Sequence, residues 1–161
     1  MLQRIVVSAA IVVIGGVLGA NVYNSVVDVP NWGASIPGSL ASARQYFGAA
    51  NPGTFFRVAS PLAQGLALAV LLACWSRGGG LRWPAAMALV LVVLGDVLTF
   101  GYFYPRNSIM MSGPMTDRVL LSATVHSWAA MNHVRSAIIL AALVCELTVL
   151  GRIGTAAELA R

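Results

Sequence analysis

Four runs of roughly twenty apolar residues dominate the chain, and about twenty is the length a helix needs to span a bilayer. They cover residues 5–22, 58–75, 83–104 and 124–150. No charge falls between Arg4 and Asp28; the third run is interrupted by Asp96, and the fourth by Arg135 and Glu146. Hydrophobic residues make up 58% of the chain and charged residues 9%, against roughly 25% charged in an ordinary soluble domain. With a mean hydropathy of +0.81, too little polar surface remains for a soluble enzyme, a disordered chain or a nucleic-acid module. The expected fold is all-α: a four-helix transmembrane bundle forming one membrane domain over residues 1–161. A long non-cytoplasmic loop, residues 23–56, joins helices 1 and 2.

The charge pattern reads as topology. The net charge of +5 comes from ten Arg, no Lys and five acids, scattered along the chain. Arg4, Arg77, Arg82, Arg152 and Arg161 fall on one side of a four-span layout. That side, with both termini and the Gly78-Gly79-Gly80 turn, is expected to be cytoplasmic. Arg44, Arg57, Arg106 and Arg118 lie opposite, offset by Asp28 and Asp117. Trp75, Trp83, Tyr102, Tyr104 and Trp128 sit where interfacial aromatic anchors belong. Pro84 fits a first helical turn, and Pro105 is expected to stop the third helix. Leu18 stands at −3 before Ala20, a poor cleavage pattern, so the first run reads as a retained span. Cys74 and Cys145 lie in apolar runs, without metal or disulfide spacing. The first loop carries Pro30, Pro37 and Pro52, with Trp32, Tyr46 and Phe47 among them. Residues 39–47 suit a short helix capped by Ser39. This segment either folds as a cap over the bundle mouth or simply shields helix ends.

Charges inside a span are costly, face the bundle interior and seek partners. At about 1.5 Å per residue, Asp96 lies roughly 20 Å above Trp83 and Arg135 roughly 24 Å above Gly151. The matching depths allow an Asp96–Arg135 ion pair, functional or merely fixing register. Glu146 is expected to pair at the interface with Arg82 or Arg152. At about 100° per residue, Trp128, Asn132, Arg135 and Glu146 form one stripe of the last helix. His126 and His133 fall on nearly the opposite side. One metal held by both needs a bend, whereas one His with Met110, Met111 and Met115 offers soft donors that suit copper. The same methionines also suit plain packing. Asn21, Asn24, Asp28, Asp96, Thr99, Asn107, Asn132, His133 and Arg135 are placed to line a cavity in the outer half, as bundle sites are built.

Trp128-Ala-Ala-Met-Asn-His-Val-Arg135 resembles the W-x(3)-N-H-V-R signature in the last helix of the anthrone oxygenase-like family of small four-helix membrane proteins. Tyr104-Pro-Arg-Asn107 is similar to that family's Pro and Asn closing the third helix. Asn51-Pro52 followed by Phe55-Phe56 resembles its approach to the second helix. The resemblance implies an oxygenase acting on a hydrophobic phenolic or polycyclic substrate, with Asn107, Asn132, His133 and Arg135 as motif positions. Its individual catalytic roles do not come with it.

Such chemistry needs a base and a group that stabilises an anion. His133 or Asp96 takes the proton; Arg135, helped by Asn132 and Asn107, stabilises the enolate or reduced oxygen. A tightly paired Asp96 is a poor base, which favours His133. The cofactor is left open between none and copper, and a copper-dependent variant would use His126 or His133. The competing reading is a non-catalytic membrane subunit or lipid-binding scaffold, in which Gly15, Gly16 and Gly19 let helices approach within the monomer or a homo-oligomer. The expected partner is a hydrophobic small molecule or lipid, in a bacterial inner membrane, with no nucleic acid. A pocket that reaches His133 and Arg135 separates the enzyme from the scaffold. A transporter is disfavoured, because four spans without a repeat give no alternating pair.

Overall fold

The computed structural model describes residues 1–77 and 79–158. Gly78 of the triglycine turn and Arg161 lie outside these residues. Five helices build the fold: α1 (Leu2–Gly33), α2 (Gly38–Tyr46), α3 (Pro52–Cys74), α4 (Gly80–Ser112) and α5 (Arg118–Glu158). No strand occurs among the described residues. All but α2 are long and apolar enough to cross a membrane. The four pack as a ring in chain order, with α5 closing against α1. Short connections make successive helices antiparallel, so both ends of the chain emerge at one end of the bundle.

Alanines let the helices approach. Ala10, Ala59, Ala63, Ala67, Ala85, Ala88 and Ala142 are buried between them, as expected where van der Waals contact drives association. Gly15, Gly16 and Gly19 do not serve this purpose in the monomer, because a Cβ at any of them meets nothing within 4 Å. Neither Cys74 nor Cys145 is in a disulfide.

Two helices run further than their sequences suggest, and for the same reason. α1 does not end near residue 22: it passes through a π-helical turn, Asn24–Asp28, into Val29–Gly33 with Pro30 in its first turn. Pro105 likewise does not stop α4, which passes through a second π turn, Thr99–Phe103, into Tyr104–Ser112. Proline breaks a regular helix because it lacks an N–H and crowds the carbonyl four residues back. A π turn just upstream has already shifted that hydrogen-bond ladder, so both prolines are accommodated. α3 starts at Pro52 rather than near residue 58. Asn51 is extended there (φ −134°, ψ 168°) as a helix cap should be, and its N–H donates to the Thr54 hydroxyl at 3.4 Å.

The segment expected as a loop is thus mostly helical, and it is a folded cap. Trp32, Leu40, Phe103, Met110, Leu121, Val125 and Trp128 form a second apolar core at this end. Trp128 meets Trp32 and Phe103 edge to face, both at 5.2 Å between centroids, so it is a core residue and not an interfacial anchor. Two arginines tie the cap down. Arg44 donates to the carbonyls of Met110 (2.9 Å) and Gly113 (2.8 Å), and Arg118 to that of Ile36 (3.0 Å). Ser39 does not cap α2; its hydroxyl donates to the Trp32 carbonyl at 2.6 Å.

Candidate functional site

Between the cap core and the long aliphatic core below it lies a polar layer. On α5 the 3.6-residue period places Trp128, Asn132, Arg135 and Glu146 on one buried stripe. Arg135 is the centre of the layer. Its guanidinium donates to Asn132 Oδ1 at 2.6 Å and to Thr99 Oγ1 at 3.3 Å. Its guanidinium carbon lies 4.0 Å from the Phe103 ring centroid, a cation–π contact strengthened by desolvation. Asn132 in turn donates to the Asn21 carbonyl (2.9 Å) and the Ser25 hydroxyl (2.7 Å) of α1. Both π turns therefore border the site: Ser25 belongs to the first, and Thr99 and Phe103 to the second. Such turns re-aim side chains and are frequent at functional sites.

Arg135 lines a small chamber together with Asn21, Phe56, Ser60, Asp96 and Thr99. Aliphatic groups from Ile14, Val17, Val92 and Ile139 complete its wall. Asp96 stands across from Arg135 without forming the expected contact pair. Its carboxylate accepts instead from Gln64 at 2.5 Å. Ser60 is beside it, and Arg135 is within electrostatic reach. The free volume is about 20 Å³, room for one water or one diatomic molecule. Two polar atoms of the lining have no hydrogen-bond partner among the described residues: Arg135 Nε, a donor, and Asn21 Oδ1, an acceptor. Buried polar atoms are almost always satisfied, so this pair marks where a small polar guest fits. Gly95 lets α4 approach here; a Cβ would stand 2.9 Å from Ile139 Cδ1.

The remaining expected residues lie elsewhere. Asn107 accepts from the Trp128 indole N–H at 2.8 Å and supports the aromatic core behind Arg135. His133 and His126 are exposed on the outer face of α5, and His126 Nδ1 bonds only its own helix, at Ser122 O. Met110 is fully buried, and Met111 and Met115 pack against the cap core. No group of three or more His, Cys, Asp or Glu side chains that could hold a metal ion converges among the described residues. Glu146 is not an interfacial partner. It is fully buried, and neither carboxylate oxygen has a hydrogen-bond partner among the described residues. Arg82 stacks on Trp75 and Trp83, and Arg152 donates to the Gly80 carbonyl. Sequence reasoning missed Ser60, Gln64 and Phe56. The first two are polar residues four apart within a span, which was the available signal.

The family model for anthrone oxygenase matches residues 53–145, more than half of the chain. The chain belongs to the anthrone oxygenase family. No curated protein and no solved structure matches it. The anthrone oxygenase match takes in α3, α4 and most of α5, and with them Ser60, Gln64, Asp96, Thr99, Phe103, Asn132 and Arg135. Asn21 and Ser25 come from α1, outside the matched residues. Within the anthrone oxygenase motif Asn-His-Val-Arg, only Asn132 and Arg135 point inward. Replacing His133 with alanine is expected to leave any oxygen uptake unchanged, because the side chain is exposed on the outer face of α5. Steady-state oxygen uptake by the variant checks this.

Proposed function

We propose that the protein is an oxygenase that removes a proton from an activated C–H of a hydrophobic phenolic or polycyclic substrate and lets the carbanion react with dioxygen. The observation that carries this reading is one small chamber holding a carboxylate and an arginine with an uncommitted N–H. Asp96 replaces His133 as the base, since it lines the chamber and is bound by neutral partners rather than by Arg135. Arg135 stabilises the delocalised anion, and its free Nε–H meets the charge that develops on oxygen. The aliphatic wall excludes water, which strengthens both interactions.

For anthrone itself the balance is simple. Asp96 takes one proton from the methylene, and electrons pass from the carbanion to dioxygen as the C–O bond forms. The resulting peroxide is protonated. Loss of the second methylene proton breaks the O–O bond, leaving a ketone and one water. Anthrone and dioxygen become anthraquinone and water, with no external reductant. The arginine distribution supports cytoplasmic termini, which would place the cap and the chamber mouth on the opposite side of the membrane.

The test is oxygen consumption by nanodisc-embedded protein supplied with anthrone. One dioxygen consumed per anthraquinone formed, above the rate in empty nanodiscs, is the expected result. A rate equal to the empty-nanodisc control would end the oxygenase reading.

A further inference from the structure

The chamber is far too small for a ring system, so the substrate must be held next to it. A second cavity of about 600 Å³ lies between α1, the cap and the start of α3, within the range of small-molecule sites. Its lining includes Tyr23, Asp28, Tyr46, Phe47, Phe55 and Phe56. Phe56 also lines the chamber. Its ring centroid is 5.4 Å from the Arg135 guanidinium carbon and 5.4 Å from that of Phe55, edge to face.

We propose that this groove binds a flat, hydroxylated aromatic ring system, and that Phe56 is the partition through which the reacting edge reaches Asp96 and Arg135. This rests on the oxygenase reading for the chemistry, but not for the binding. Aromatic walls hold a planar guest by stacked and edge-to-face contacts. Asp28 adds polarity: it lines the groove, and a carboxylate accepts strongly from a phenolic hydroxyl. The same carboxylate repels an anionic lipid headgroup, which argues for the phenol as the occupant. Labour is divided along the chain. Asp96 and Arg135 lie in the matched residues 53–145, whereas Tyr23, Asp28, Tyr46 and Phe47 come from α1 and the cap. The groove would then set which ring system is accepted, and the chamber what happens to it.

The probe is 1,8-dihydroxyanthraquinone, which has no C–H to oxidise. It is titrated into nanodisc-embedded protein, with empty nanodiscs as the blank. Ala50 also lines the groove and is exposed, so Ala50→Trp fills the cavity without disturbing the core. That variant should weaken probe binding at least about tenfold. Asp28→Asn should cost about tenfold for the dihydroxylated probe and nothing for unsubstituted anthraquinone. Phe56→Trp, a bulkier partition, should lower kcat for anthrone. Equal probe affinity in wild type, Ala50→Trp and Asp28→Asn overturns the groove, even if anthrone-dependent oxygen uptake persists. Groove-dependent binding without oxygen uptake upholds the groove and overturns the oxygenase reading instead.

Discussion

Replacing Arg135 with alanine is expected to cut anthrone-dependent oxygen uptake by a factor of about 10² to 10³, the usual cost of losing a preorganised anion-stabilising donor. The alanine variant also strips Asn132 Oδ1 of its donor, while Thr99 keeps its bond to the Gly95 carbonyl. It should therefore lose about 1–3 kcal/mol of stability, as buried groups left unpaired do. Arg135→Lys separates the two effects. Lysine keeps the positive charge and part of the packing, but it carries a compact ammonium in place of a rigid planar fork. It cannot reach Asn132 and Thr99 while also directing a third N–H at the guest. The lysine variant should melt closer to wild type yet remain about as inactive as the alanine variant. Thermal melts by circular dichroism and oxygen uptake in nanodiscs read the two quantities. A lysine variant working at the wild-type rate would show that a point charge suffices and that the free Nε–H has no special part.

Asp96→Asn is the second large effect, about 10² to 10⁴ in kcat, the range for a lost general base. The substitution is nearly isosteric, and the amide oxygen still accepts from Gln64, so folding should be spared. Two further readouts distinguish a base from a structural group. Under argon the wild type should catalyse exchange of the anthrone methylene protons with deuterated water, and the asparagine variant should not. At high pH, where anthrone ionises in solution, the variant should regain rate because the missing step no longer needs the protein. Anaerobic exchange as fast in Asp96→Asn as in wild type would remove Asp96 from the proton transfer.

The α5 motif shows how far the sequence reaches. Adjacent helical residues point about 100° apart, so Asn132 and His133 cannot both face the bundle interior. The stripe through Trp128, Asn132 and Arg135 settles which one does, and that stripe was readable in advance. The depths of Asp96 and Arg135 were readable too, and the two residues do line one chamber. Their partners were not. Whether Asp96 meets Arg135 or Gln64 depends on how α3 and α4 are rotated about their axes, and rise per residue says nothing of rotation.

Four spanning helices, a buried stripe on the last of them and a polar level part-way across were determined by the sequence alone. Hydropathy and the 3.6-residue period are local properties, and an apolar solvent enforces them. Tertiary structure decided the rest. π turns carry α1 and α4 past Pro30 and Pro105, and proline alone announces the opposite. Glu146 lies fully buried, with neither carboxylate oxygen hydrogen-bonded among the described residues. The cap packs on α4 and α5 because Trp32 and Leu40 find Phe103 and Trp128 far along the chain. Phe56 stands between groove and chamber because α3 packs against α1. Each of these depends on which surfaces become neighbours, and contacts between distant segments leave no period in the sequence.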